Sequence, residues 1–362
     1  MVSLKEELDR KGGLSIIMQG HLGLKNIVYI ADVSRMWRKL FPKSSIVNVI
    51  SSSDCIFLNE DNEFQIREEY LTDRFISSAF DIIKKNCDKI IISSFQTPLP
   101  KMKSDSPGIN NINLMIAAAK TGLEHSNSKY TLRIRNDLFF CDRNFVDFYE
   151  KKIKNPIKNK SIFKQRVLVS EIFTLNPLTI SKMPFHYSDW FHFGLTEDIK
   201  KIWNSVDFYP FEYAVWYRHR HHSQNSNAVE KRFYTRFAPE QWVSFPFIKK
   251  QYPELILEYH NDTTSLIDSI FVLYDNFIIL DMHEAHAYIE KYQSIINNMS
   301  NYTRVECFSQ NTLENIVNFS QDEIKKLFVE GKYASPPRKK IMRLFYRRRL
   351  KKIWSSLNKK LP

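Results

Sequence analysis

The sequence predicts an α/β fold, a mostly parallel sheet flanked by helices, and three observations carry that reading. Short apolar runs alternate with helical patterns from residue 14 onward. The first strand, helix and second strand have the spacing of a βαβ unit, which implies a parallel pair with a right-handed crossover. A further strand, Lys129 to Phe140, ends in charges that a core would not hold.

Leu14-Ser15-Ile16-Ile17-Met18-Gln19-Gly20 reads as the first buried strand, stopping at Gly20. Ile27, Ile30, Val33, Met36, Trp37 and Leu40 then recur at helical spacing, and Pro42 ends that helix. Ser45 to Ile50 is a second strand running into Ser51-Ser52-Ser53-Asp54. A longer helix is expected from Glu68 to Asn86, and Lys89 to Phe95 as a third strand. The stretch through Pro98, Pro100, Lys101, Lys103 and Pro107 has the composition of a ligand loop.

Asn110-Asn111-Ile112-Asn113 opens an Ala-rich helix that Gly122 is expected to stop. Three Asn residues in four positions exceed what one cap needs, and a helix start of this kind can offer N–H and amide groups to a diphosphate. In Thr131-Leu132-Arg133-Ile134-Arg135-Asn136-Asp137, the residues Arg133, Arg135 and Asp137 alternate and so project from one strand face. Guanidinium forks suit phosphate oxygens, and a lone hard carboxylate can anchor Mg²⁺ or Mn²⁺. The other reading of the same residues is a solvated strand face with an Arg–Asp pair. Strands in such sheets end at the ligand crevice, which aligns Gln19, Gly20, Asp54 and Asp137 along one rim.

The second half is less regular. Gln165 to Asn176 holds a strand, and Pro184 to Gly194 reads as an aromatic strand with Asp189 in its middle. Glu197 to Trp203 is a helix, and Pro239-Glu240-Gln241-Trp242 starts another with Pro in its first turn. Asp189 and Glu240 each sit beside aromatic rings and are the two candidates for a general base. Arg218-His219-Arg220-His221-His222 reads as a solvated loop rather than a metal site. His283-Glu284-Ala285-His286 lacks zinc-protease spacing and reads as a surface helix turn.

At 362 residues with 43% hydrophobic content the chain has ample material for a core. Met1 to Lys11 is charged and lacks a secretory h-region, and no apolar run approaches a membrane span. Cys55, Cys87, Cys141 and Cys307 are scattered, which suits a reducing, cytoplasmic setting. The net charge of +13 belongs to the tail: residues 336–362 carry eleven bases and no acid, leaving 42 bases against 40 acids elsewhere. Met342, Tyr346, Leu350, Ile353, Leu357 and Leu361 form one apolar stripe there, the pattern of an interfacial helix on the inner face of an anionic membrane. A near-neutral body without RNP, zinc-finger or KH patterns argues against a nucleic-acid partner.

The order of Ile16 to Gly20, Asn110 to Asn113, Leu132 to Asp137, Phe185 to Gly194 and Pro239 to Trp242 resembles the WavE lipopolysaccharide-synthesis family. The resemblance covers roughly residues 14–245, with the Ser188-Asp189-Trp190-Phe191 block its most distinctive part. It implies a GT-A-like, Rossmann-type domain at 1–330 and a basic amphipathic tail at 331–362. The nucleotide-binding half would span about 14–145, the acceptor half about 146–250, and an α/β extension 251–330. It also implies a glycosyltransferase that moves a sugar from a nucleotide sugar to a lipopolysaccharide or capsule acceptor. Asp137 would then bind Mg²⁺ or Mn²⁺, Arg133 and Arg135 the phosphates, and Gln19, Gly20, Asn110, Asn111 and Asn113 the nucleotide side. A sugar-phosphate or nucleotidyl transferase, a scaffold, and a nucleic-acid binder using the basic tail are the alternatives.

Overall fold

The computed structural model describes residues 2–58, 64–67, 73–94, 96–106, 108–298 and 306–329. The tail at 331–362, the first turn expected for the helix at Glu68, and Phe95 and Pro107 lie outside them. A short helix α1 (Leu4–Leu8) precedes β1 (Leu14–Leu22), α2 (Ile27–Leu40) and β2 (Ser45–Ser53). A small hairpin, β3 (Ile56–Leu58) with β4 (Phe64–Ile66), then leads to α3 (Arg74–Asn86) and β5 (Lys89–Ile92). Asp73 caps α3 by accepting from the Phe75 and Ile76 N–H groups. From β5 the chain crosses back through α4 (Ile112–Glu124) to β6 (Tyr130–Arg135), on the far side of β1.

The sheet continues through β8 (Val167–Ser170), β9 (Phe191–Leu195) and β10 (Phe277–Leu280) in the order β10-β8-β9-β6-β1-β2-β5. Only β9 runs antiparallel, wedged between β6 and β8. A second ribbon pairs β7 (Phe139–Phe140) with β11 (Ala287–Tyr288). Both faces of the main sheet are covered, which is why its strands read as continuous apolar runs. Ile16, Met18, Ile46, Leu132 and Ile134 pack with Ile30, Trp37 and Phe80 of α2 and α3, and with Phe145 of the following helix α5 (Asn144–Lys152). Ile17, Val47, Val49 and Val169 pack on the opposite face. That face is covered by α4, α6 (Thr196–Asn204), α7 (Pro239–Gln251) and α8 (Leu266–Asn276).

Three expectations need correcting. Gly122 does not stop α4; the helix runs on to Glu124. A Cβ at Gly122 would come within 2.3 Å of Ile17 Cγ2 and 2.9 Å of Val49 Cγ2, so the glycine lets the helix lie close on the sheet. The strand expected over Pro184 to Gly194 is confined to Phe191–Leu195, and that expected over Gln165 to Asn176 to Val167–Ser170. Residues beyond each strand turn away, with Phe173 at φ 68° and Phe185 at φ 57°. Because β9 is antiparallel, its beginning lies at the rim where β6 ends, and the irregular segment before it delivers Asp189 there.

The strand order reverses between β1 and β6, and open α/β sheets bind ligands beyond the carboxyl ends of their strands at such a point. There this protein has a cleft of about 870 Å³.

Candidate active site

The β1 and β6 tips are tied together before any ligand arrives. Asn136 donates its backbone N–H to the Gln19 carbonyl at 2.9 Å and its side-chain amide to the His21 carbonyl at 3.1 Å. That tie needs a residue without a side chain beside it, since a Cβ on Gly20 would sit 2.2 Å from Asn136 Oδ1. Gln19 and Asn110 line the cleft with polar atoms to spare. Gln19 Nε2 donates weakly to the Met115 carbonyl at 3.4 Å, while its Oε1 has no partner among the described residues. Asn110 Oδ1 accepts from the Ile112 N–H at the start of α4, and its Nδ2 is likewise unpartnered. Asn111 also lines the cleft, at the N-cap position but without a side-chain capping bond.

Arg133 is wholly buried yet faces the cleft. Its Nη1 donates to the Asp189 carbonyl, its guanidinium lies 4.2 Å over the Trp203 ring, and Nε and Nη2 have no partner among the described residues. Burial without a salt-bridged carboxylate pulls it down to about 9. Arg135, one turn of the strand closer to solvent, is paired differently. Its Nε and Nη2 form a fork on Asp137, at 2.8 and 2.6 Å, just beyond the end of β6.

The opposite wall carries a second charged group of four. Asp189 precedes β9, and burial followed by the Glu240 carboxylate pushes it up to about 6 against the pull of Arg133, Arg135 and His186. Glu240, in the first turn of α7, is raised by burial, and Lys103 partly opposes this. His186 Nε2 lies 3.3 Å from Glu240 Oε2, and burial pulls the ring down to about 4. Lys103 lies 4.3 Å over the Phe233 ring and is lowered by burial. Such environments separate the protonation of neighbouring groups, as acid–base sites require.

Two sequence candidates lie off the cleft. Asn113 spends its amide on the Tyr209 backbone, accepting at 2.6 Å and donating at 3.0 Å, so it anchors the loop after α6. Asp54 accepts from the Leu24 N–H and closes the turn between β1 and α2. His283 to His286 form a turn, not a helix, and His286 meets Asp142 at 2.6 Å. Sequence reasoning gave no role to His186, Asn136 or Trp190. His186 and Trp190 stood in the aromatic block, and only their contacts across the sheet single them out.

The donor set can be tested against a divalent cation. Each Asp137 oxygen accepts one N–H from Arg135, which leaves lone pairs on a carboxylate that has about four acceptor positions. Among the described residues no three His, Cys, Asp or Glu side chains gather into a metal cage. A cation at Asp137 would have to take its other ligands from waters and phosphate oxygens, the usual habit of Mg²⁺.

A family model described as WavE lipopolysaccharide synthesis matches residues 87–346; against the expected 14–245 it runs on past 245 but starts after the Ile16–Gly20 motif. By sequence, no curated protein matches. Solved structures with some likeness include an active-site mutant of LgtC, at 9% identity over 62% of this chain and 85% of that one, with a TM-score of 0.30. Mouse xyloside xylosyltransferase 1 in its apo form has 9% identity, coverage of 77% and 97%, and a TM-score of 0.31. The apo-form glycosyltransferase GlyE of Streptococcus pneumoniae TIGR4 has 7% identity, coverage of 89% and 64%, and a TM-score of 0.27. At TM-scores this low the likeness carries neither fold nor chemistry over to this chain.

Proposed function

The chain belongs to the WavE lipopolysaccharide synthesis family, and on that footing we propose that it is a glycosyltransferase. It moves a sugar from a nucleotide-sugar donor to a lipopolysaccharide or capsule acceptor. The observation that carries this reading is Arg133, a fully buried cation on the wall of the switch-point cleft whose Nε and Nη2 have no partner among the described residues. An uncompensated buried charge costs several kcal/mol, and an anionic ligand supplies the compensation. A diphosphate at the β1 and β6 tips meets Arg133 and Arg135, while Gln19 and Asn110 offer one acceptor and one donor to the nucleoside.

Transfer asks three things of the chain. Arg133 and Arg135 hold the diphosphate and stabilise the charge it gains as the bond to the anomeric carbon breaks. The acceptor hydroxyl, placed between the donor sugar and the Asp189 wall, gives its proton to Asp189 as its oxygen bonds to that carbon. Trp190 and Tyr292, which pack against each other with centroids 5.1 Å apart, shield this region from water. Glu240 is the second carboxylate within reach of the same space. A divalent ion held by Asp137 would add Lewis-acid neutralisation of the leaving diphosphate.

A thermal-shift screen of nucleotide sugars, with and without Mn²⁺, tests the whole reading. Ligand at 100 times its Kd adds about 2.7 kcal/mol of stability, so the cognate donor is expected to raise Tm by several degrees, and more with Mn²⁺. Asp137→Ala is expected to keep the fold but to lose the Mn²⁺ increment together with donor hydrolysis and transfer, with its apo Tm lowered by loss of the Arg135 fork. Full turnover in that variant removes the metal assignment, and a chain indifferent to every nucleotide is a scaffold instead.

The sequence pattern at 331–362 supports attachment to the inner face of the cell membrane, where lipid-linked acceptors are met. No described helix is long and apolar enough to cross a membrane. Anionic liposomes are expected to float the full chain but not one ending at residue 335; equal flotation of both refutes the attachment.

A further inference from the structure

His186 carries a constraint that the reading above leaves unused. Its Nδ1 lies 2.8 Å from the Phe173 carbonyl oxygen, which can only accept, so the proton of the neutral ring is on Nδ1. The other nitrogen, Nε2, then presents a lone pair 3.3 Å from Glu240 Oε2. Two lone pairs at that distance repel unless a proton lies between them.

The backbone holds this arrangement at a cost. Phe185, directly before His186, and Phe173, which accepts from it, both lie in the left-handed region. For a non-glycine residue that costs roughly 1–3 kcal/mol and tends to occur at functional sites. The Leu175 N–H also donates to the His186 carbonyl at 2.9 Å, so the 173–175 segment grips the residue at two points.

We propose that His186 is a positioning residue that keeps a proton on Glu240, so that Asp189 stands alone as the ionised carboxylate of the pair. Lys103, from the loop before α4, and the near-complete burial of the ring both disfavour an imidazolium. Lys103 favours the charged form of Glu240, but burial outweighs it. Asp189, by contrast, faces the guanidinium groups of Arg133 and Arg135 of β6. With Glu240 neutral, the like-charge repulsion on Asp189 is relieved, and the proton of the acceptor hydroxyl has one destination. Asp105 and Arg232, paired at 2.8 Å, act on Lys103 from outside and add no net charge.

The inference rests on the glycosyl-transfer reading for its purpose, but the position of the proton can be measured without turnover. Infrared difference spectra near neutral pH are expected to show the C=O stretch of a protonated carboxylic acid in wild type minus Glu240→Gln, and none in wild type minus Asp189→Asn. Glu171, pushed up to about 8 by burial, contributes equally to each spectrum and cancels. His186→Gln, whose amide oxygen can still accept from Glu240, is expected to retain the band. His186→Ala admits water and loses it, and the acid limb of the rate–pH profile moves up by about one unit. Nitrogen-15 spectra of wild-type histidine are expected to show a neutral ring protonated on Nδ1, which keeps the question decidable if the alanine variant does not fold. A band that follows Asp189, a band unchanged in His186→Ala, or an imidazolium at His186 overturns the assignment. Absence of turnover with every donor defeats the transfer reading alone and leaves these spectra to locate the proton.

Discussion

Asp189→Asn is expected to slow transfer by about 10³-fold, within the range a general base contributes, while Tm at pH 8 does not fall. The two halves of that outcome have one cause. Burial raises the Asp189 carboxyl, to about 6 where Glu240 is ionised beside it, so the folded chain prefers the neutral form more than the unfolded chain does. Above that pH, keeping the ion folded costs stability, and the amide removes the cost. Linkage for a raised carboxyl means the wild type gains stability as pH falls from about 6 toward the unfolded value near 4. Asp189→Asn lacks that gain. Activity has the opposite slope, because the base must be ionised: wild-type kcat is expected to fall as pH drops through about 6. Stopped assays across pH 5–8 with parallel melting curves check both slopes. If Asp189→Asn transfers at the wild-type rate, the base is not Asp189 and Glu240 takes its place.

How much of this was legible in the sequence varies with distance along the chain. Strands with both faces covered leave a period-free apolar run, and β1 and β2 are found from theirs, though β1 runs on to Leu22 instead of stopping at Gly20. Strand β5 ends at Ile92, short of Phe95, and the stretch Lys129 to Phe140 is divided between β6 and β7, which belong to different sheets. Helix α2 spans Ile27–Leu40, the first and last of the apolar residues whose spacing pointed to it. Gly122 misled because a glycine near a helix end means a stop on local grounds, whereas here its reason is Ile17, more than a hundred residues away. The same limit hid the antiparallel direction of β9, which no local pattern encodes, and with it the fact that Asp189 arrives at the rim from a coil rather than from mid-strand. It also hid Asn113, whose type fits an anion site and whose amide is taken by Tyr209. The Arg-Ile-Arg-Asn-Asp motif was visible as charge at a strand end. That its two arginines differ, one paired and one not, follows only from what stands opposite each.

That difference leads to the result expected to separate ligand binding from stability most widely. Arg133→Met should weaken donor affinity by about 100-fold or more, since truncating one partner of a buried charge pair costs ~2–5 kcal/mol, yet the ligand-free protein should melt no earlier than wild type. Among the described residues the guanidinium has one hydrogen bond, to the Asp189 carbonyl, and one aromatic face, Trp203 at 4.2 Å. Those contacts are worth roughly 1.5–3 kcal/mol for a bond to a charged donor and up to about 2 for the ring. They do not offset burial, because the group is still held down at about 9, a net penalty on its charged form of a few kcal/mol. Methionine fills a similar volume beside Trp203 without that charge, at the price of leaving one carbonyl unpaired. Arg135→Met offers the contrast: it breaks the fork on Asp137 and is expected to lower the apo Tm as well as donor binding. Isothermal titration with the donor found in the screen, alongside melting of the ligand-free variants, distinguishes the two arginines. An apo Arg133→Met that melts several degrees below wild type would show the charge to be structural, and the case for an anionic ligand in this cleft would go with it.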